Sequence, residues 1–219
     1  MKVIKVTGKG QLSLKPDTTR ITMTLTGVET EYADALRVSS EQTEALKNLF
    51  ARFGFDRSEL KTLSFNVDTE YESYKEGEAW KQRLIGYRFN HTLKIEFPSD
   101  NERLGKILYA LANSDAQPQF SISYTLKDPE AAKNMLLGKA VRDASEKAKV
   151  LTEAAGKKLG EIQSIDYSWG EISFETRPVN RLMKAAAFAD AEESCSYDMD
   201  IEPDDIDVSD TVTIVWEIE

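Results

Sequence analysis

The sequence predicts an α+β fold: an antiparallel sheet with helices packed on one face. Three observations carry that reading. Segments such as 19–28, 87–97 and 120–126 alternate apolar and polar residues at period two. Three other segments, near 31–53, 100–112 and 128–155, repeat apolar residues at steps of three and four. Read along the chain, the order is β-β-α-β-β-α-β-α-β-β, with one unusually long β-hairpin.

Residues 2–14 form the first strand, interrupted by Gly8 and Gly10, and Pro16-Asp17 makes a turn. In 19–28, Ile21, Met23 and Leu25 take one face and Thr22, Thr24 and Thr26 the other. These two strands are expected to pair as a hairpin. The first helix carries Leu36, Ser39, Thr43, Leu46, Phe50 and Phe53 on its inner stripe, and Gly54 is placed to end it.

The long hairpin spans about 60–97. Leu63, Phe65, Val67, Thr69 and Tyr71 alternate in one arm, and Tyr87, Phe89, His91, Leu93, Ile95 and Phe97 in the other. Glu76-Gly77 marks the turn. Each arm is far longer than a usual strand of about 5–6 residues. The tip is polar yet carries Tyr71, Tyr74 and Trp80.

Ser99 or Asp100 caps a second helix whose stripe is Leu104, Ile107, Leu108 and Leu111. Phe120, Ile122, Tyr124 and Leu126 make a strand. Asp128-Pro129-Glu130 then opens a long helix: a cap, a proline at the first position and an acid in the first turn. Leu137, Val141, Ala144, Ala148, Leu151 and Ala155 form its stripe, and its alanines would let a partner backbone approach. Gly156 and Gly160 stop it, a strand follows at 161–169, and Val212, Ile214, Trp216 and Ile218 mark the closing strand. Residues 170–206 show no period and read as a long acidic loop.

The net charge of −10 has one source. Residues 190–210 hold ten acids and no Lys or Arg, so the remainder is balanced at 28 acids against 28 bases. A balanced surface does not attract phosphate backbones, and nucleic acid is not an expected partner. No run of about 18 apolar residues exists to span a membrane. The opening MKVIKVTGKGQL lacks the apolar core of an export signal, which points to a cytoplasmic location.

Catalytic candidates are sparse. Gly8-Lys9-Gly10 lacks the third glycine of a dinucleotide fingerprint, because position 13 is Ser, and reads as a bulge or a close backbone approach. The single His91 lies on an apolar strand face between Phe89 and Leu93, where a satisfied core or interface histidine is expected. Cys195 sits among Glu192, Glu193 and Asp198, which disfavour a reactive thiolate. A calcium loop starting at Asp198 would need Gly at 203 and Glu at 209, where the chain has Pro203 and Ser209. No catalytic residue, metal or cofactor is therefore expected.

Four segments carry a family resemblance: VTGKGQLSLKPD, IGYRFNHTLKIEF, ISYTLKDPEAAKNMLLGKAVRDASEKAKVLTEAAGKKLGEIQSI and IEPDDIDVSDTVTIVWEI. In this order and spacing they resemble the SIMPL-domain family, which includes bacterial oxidative-stress-defence and periplasmic immunogenic proteins. The resemblance covers nearly the whole chain. It implies an α+β domain, and assembly into rings for at least some members, with no catalytic residues to carry over. The whole of 1–219 then reads as a single SIMPL-like domain with a protruding hairpin near 60–97 and an acidic loop near 170–206.

The expected function is that of a non-enzymatic, self-associating scaffold, in the stress-related context the resemblance implies. Tyr71, Tyr74, Trp80 and Tyr87 are the candidate contacts of a homo-oligomer. The alternative is a binding module that takes a small ligand or protein through the 170–206 loop. An enzyme is the weakest alternative, since it would need His91 in a cleft beside a carboxylate.

Overall fold

A computed structural model describes residues 2–167, 170, 172–177 and 201–219. It is an α+β fold with the expected order of elements. Two strands, β1 (Val3–Leu14) and β2 (Thr18–Glu29), precede helix α1 (Tyr32–Ala51). The long hairpin of β3 (Lys61–Glu76) and β4 (Ala79–Pro98) leads to α2 (Asn101–Ala112), β5 (Gln119–Thr125) and α3 (Pro129–Ala154). The chain continues through β6 (Leu159–Asp166) and a two-residue β7 (Glu175–Thr176) to β8 (Ile206–Ile218). Cys195 and the acids from Asp190 to Asp200 lie outside the described residues, as does most of the expected acidic loop.

The chain divides into two compact units. The first comprises residues 1–17, 125–176 and 203–219, the second 18–124 and 177–202. Each has its own core.

In the first unit the strands run β1-β8-β6. β1 pairs antiparallel with β8 without interruption, from Val3 opposite Glu217 to Leu14 opposite Ile206. This corrects the expected β1–β2 hairpin. Alternation assigns faces to a strand but not its partner, and the turn at Pro16-Asp17 leads away from the β1 sheet. There the Asp17 N–H donates to the Thr125 carbonyl at 3.2 Å, and its carboxylate accepts from the Lys127 N–H at 2.7 Å.

Helix α3 lies against β1 and β8, and its inner stripe steps strictly by four: Ala132, Leu136, Ala140, Ala144, Ala148 and Thr152 are buried. Val6, Val212, Ile214 and Trp216 complete this core. The alanines therefore serve packing within the chain, not a partner, and the expected Leu151 is 52% exposed. Gly8 and Gly10 explain why the helix sits so close. A Cβ at Gly8 would overlap the Ala140 carbonyl oxygen and lie 2.7 Å from the Ala144 Cβ. A Cβ at Gly10 would overlap the Leu136 carbonyl oxygen. The glycine pair is thus a close backbone approach in a continuous strand.

The ends of α3 are set as the sequence predicts. The Asp128 carboxylate accepts the Ala131 N–H at 2.9 Å. At the other end Gly156 takes φ +67°. Gly156 and Lys157 N–H groups return to the Glu153 and Thr152 carbonyls, a Schellman closure. Gly54, at φ +80°, closes α1 in the same way through its own N–H and that of Phe55.

In the second unit the strands run β3-β4-β2-β5. The odd face of β2 (Ile21, Met23, Leu25) joins Phe89, Leu93, Ile95 and Phe97 of β4 in a fully buried layer. Ala35, Leu46 and Phe50 of α1 and Leu104, Ile107 and Leu111 of α2 pack on it. Asp100, one of the two expected caps, accepts the Arg103 N–H at 3.0 Å. The opposite face is polar: Arg20 and Lys94 both reach the Glu96 carboxylate, at 2.6 and 3.0 Å.

Two glycines should respond oppositely to the same change. Gly8→Ala forces the sheet and α3 apart and should lower unfolding free energy by about 1–3 kcal/mol, the usual cost of overpacking. Gly138, within α3, has open space around its Cβ position. Gly138→Ala should raise stability by roughly 1 kcal/mol through helix propensity. Urea unfolding of the two variants measures both.

Candidate functional site: the exposed arm and the His91 cleft

β3 is the outermost strand of its sheet. It pairs with β4 over its whole length, with register shifts between Thr62 and Ser64 and between Glu70 and Tyr71. The second shift leaves Ile85 unpaired, because Glu70 faces Gly86 and Tyr71 faces Leu84. Beyond it the hairpin closes through the two-residue loop Gly77-Glu78. Only the first of these has positive φ, +64°, the type II′ pattern that calls for Gly there.

From Tyr71 to Leu84 the hairpin is exposed on both faces, Tyr74 alone being half-buried. Opposed residues in a ladder share a face, so the register sorts its side chains. One face carries Tyr71 opposite Leu84, Ser73 opposite Gln82 and Lys75 opposite Trp80. Trp80 is 73% exposed, Tyr71 55% and Leu84 49%. The other face carries Glu72 opposite Arg83, Tyr74 opposite Lys81 and Glu76 opposite Ala79. There Arg83 grips Glu72 at 2.7 Å and also lies over the Tyr74 ring, and Lys81 pairs with Glu76. The arm is therefore amphipathic: one face is apolar, the other closed by its own ion pairs. Residues 71–84 hold three acids and three bases, so the arm is neutral in a chain of charge −10.

The four expected contact residues are thus separated. Tyr71 and Trp80 share the apolar face, Tyr74 lies on the ion-paired face, and half-buried Tyr87 packs edge-to-face on Tyr32 of α1 at 5.6 Å. Leu84 belongs with Tyr71 and Trp80. The signal for it was the pairing register, which follows from the turn position.

Nearer the body, α1 and β3 flank an open cleft of about 260 Å³ lined by Leu36, Ser39, Ser40, Thr43, Glu44, Lys47, Phe65 and His91. His91 is satisfied by hydroxyls, as the sequence predicts. Its Nδ1 lies 3.2 Å from Ser39 Oγ and 3.1 Å from Thr43 Oγ1, and its Nε2 lies 2.9 Å from Thr62 Oγ1. The Thr43 hydroxyl donates to the Ser39 carbonyl at 2.8 Å, so it accepts from His91. That places the proton on Nδ1 and makes Nε2 the acceptor for Thr62. Ser39 and Thr43 were legible as polar residues at buried positions of the α1 stripe. Thr62 was not, because it arrives through the β3 bulge.

A nucleophilic serine needs an accessible oxygen and a histidine oriented by a carboxylate. Ser39 is 2% exposed, and hydroxyls hold both His91 nitrogens. Glu44 lines the cleft but pairs with Lys47 at 2.9 Å and with Arg57. The cleft is a polar anchor for α1 rather than a catalytic triad. No group of His, Cys, Asp or Glu suited to a metal ion occurs among the described residues. No helix among them is long and apolar enough to cross a membrane.

Two sheet-and-helix units, a neutral amphipathic arm and a hydroxyl-bound histidine are the features of this α+β protein. The chain belongs to the SIMPL family, a protein family of unknown function (DUF541), whose pattern it matches over residues 4–216. It is 22% identical over 186 residues to the uncharacterised protein YggE of Edwardsiella ictaluri, covering 85% of this chain and 75% of that one. To YggE of Escherichia coli it is 22% identical over 217 residues, covering 99% and 83%. To the 26 kDa periplasmic immunogenic protein of Brucella melitensis it is 24% identical over 163 residues, covering 74% and 65%.

Burial, and then the Lys47 charge, lowers the His91 pKa below its ordinary value of 6.5. The unfolded chain then binds a proton that the folded chain refuses. Stability should hold above about pH 6.5 and fall as pH drops from there toward the depressed folded value. His91→Gln should remove that step from a plot of unfolding free energy against pH. An unchanged plot would mean the ring is not buried as described.

Proposed function

We infer that this chain is a non-enzymatic, self-associating scaffold that meets its own copies through the β3–β4 arm. The single observation that carries this reading is the arm's exposed apolar face, Tyr71, Trp80 and Leu84, set against an opposite face whose charges are internally paired. A two-stranded ribbon is marginal by itself in water. Burying a large apolar side chain contributes roughly 1.5–3 kcal/mol, so three approach the lower range of association costs, about 4–15 kcal/mol. Charge favours a second copy as the occupant. Two chains of −10 repel, and a neutral arm is where like chains meet with least penalty.

An exported location is the reading supported by the Brucella relatives, which are named periplasmic, over the cytoplasmic one expected from the opening residues. A stress-related role rests on the family resemblance alone.

Light scattering after size-exclusion chromatography tests the reading. The wild-type chain should show the mass of several protomers. The double variant Tyr71→Ser/Trp80→Ser should fall to a smaller mass while keeping its circular dichroism and unfolding midpoint, since both side chains are exposed in one chain. A wild-type mass of 24.7 kDa would end the proposal.

A further inference from the structure

The mouth of the His91 cleft has no part in the scaffold reading, yet its chemistry is specific. At the floor the polar groups satisfy one another. The Thr43 hydroxyl donates to the Ser39 carbonyl, His91 Nδ1 faces the Ser39 and Thr43 hydroxyls, and Nε2 takes the Thr62 hydroxyl. The register shift between Thr62 and Ser64 delivers that last contact. The walls are apolar and open: Leu36 of α1 is 39% exposed and Phe65 of β3 44%. Phe65 is opposite His91 and meets its ring edge-to-face at 5.0 Å. The α1 side of the cleft is one row, Leu36, Ser40, Thr43 and Lys47, at steps of four, three and four. It leads from an apolar end to a cationic end over roughly 16 Å.

Charge at the cationic end is unequal. One oxygen of the Glu44 carboxylate receives Lys47 at 2.9 Å and the other receives Arg57. One acid shared by two bases leaves the rim locally positive in a chain of −10. The opposite cluster on α1, Asp34 and Glu41 on Arg37, lies around the helix from this row. After burial, the Lys47 charge is the second cause that lowers the His91 pKa, so that charge is felt inside the cleft.

We propose that this cleft binds a small organic carboxylate, with its apolar ring or chain between Leu36 and Phe65 and its carboxylate at Lys47. The site uses none of the arm's apolar face, so it stands apart from the self-association reading. A volume of about 260 Å³ falls below the usual ligand-pocket range of about 300–1,000 Å³ and suits a single ring. A neutral ligand leaves the rim charge unanswered. A hydrophilic anion leaves the two apolar walls in water. A second depression, of about 300 Å³, is lined by Glu59, Lys61, Lys94 and Glu96, two acids against two bases with no apolar side chain among them.

Phenylacetate, acetate and phenylacetamide, titrated into the full chain by isothermal calorimetry, test this. NMR follows the His91 ring protons, which belong to the one histidine of the sequence. Phenylacetate should bind saturably and shift those signals. Acetate lacks the apolar body and phenylacetamide the charge, so each should bind about tenfold more weakly. Lys47→Met should weaken phenylacetate by about the same factor and leave phenylacetamide unchanged. Glu44→Gln frees both bases and should tighten phenylacetate, a gain that a merely structural role does not produce. Both side chains are partly exposed, so the variants should fold, as circular dichroism checks, and the three-ligand comparison needs no variant. Absence of saturable binding overturns the proposal, as does equal binding of acetate or of phenylacetamide, or binding that leaves the His91 signals unmoved. A folded Lys47→Met that binds phenylacetate as well as the wild type overturns it also, and so does a folded Glu44→Gln that binds it less well.

Discussion

The close approach of β1 to α3 governs the first unit. Glycine at positions 8 and 10 and alanine at 140 and 144 remove the side chains that would hold the strand and the helix further apart. The helix consequently lies over β1, near enough for its own side chains to reach around that strand. Asp143 and Lys139 cap the outer edge of β1 because the backbones nearly touch. A Lys147 ammonium 2.7 Å away and the Lys9 N–H hold the Asp143 carboxyl below its usual range, which keeps it a charged acceptor. At the other edge of this sheet, Ile162 and Ile165 of β6 are exposed.

The second unit shows the same logic with a different outcome. Helices α1 and α2 cover β2 and the body-proximal half of β4, where Phe89, Leu93, Ile95 and Phe97 are buried. Among the described residues, no helix follows the hairpin beyond Gly86. The ribbon is kept in solution there by one face of ion pairs, while its other face retains Tyr71, Trp80 and Leu84. A sequence under selection only for solubility has little reason to place a tryptophan at the tip of such an arm. His91 belongs to the anchoring of this unit. By donating from Nδ1 toward the α1 hydroxyls and accepting the Thr62 hydroxyl of β3 at Nε2, it ties the helix to the edge strand without a charge.

Most of the secondary structure was legible in the sequence, and for identifiable reasons. The alternation of Ile21, Met23 and Leu25 fixes β2 because a half-buried strand allows no other periodicity. Asp128-Pro129 and Gly156 fix α3 because cap, proline and left-handed glycine each demand one backbone geometry. Strand pairing was less legible. β1 and β2 are adjacent in sequence and both alternate, yet β1 pairs with β8, and nothing in a face pattern names a partner nearly 200 residues away. The α3 stripe was read only in part: Ala144 and Ala148 are buried as expected, whereas Leu151 is exposed and the buried row takes Leu136, Ala140 and Thr152 beside them. At the candidate site, the aromatic tip was visible. The division of Tyr71 from Tyr74 between opposite faces, and the place of Leu84 beside Tyr71, required the pairing register counted from the turn.

The central claim is that the arm is a docking element held in place by another copy. Hydrogen exchange read by mass spectrometry, at concentrations above and below the point where the assembly dissociates, tests this directly. A free two-stranded ribbon opens readily, so its amides exchange fast unless something holds it. The account predicts slow exchange across Tyr71–Leu84 in the assembled protein and fast exchange on dissociation, with the α3 core unchanged. Equal, fast exchange of the arm at both concentrations would contradict it.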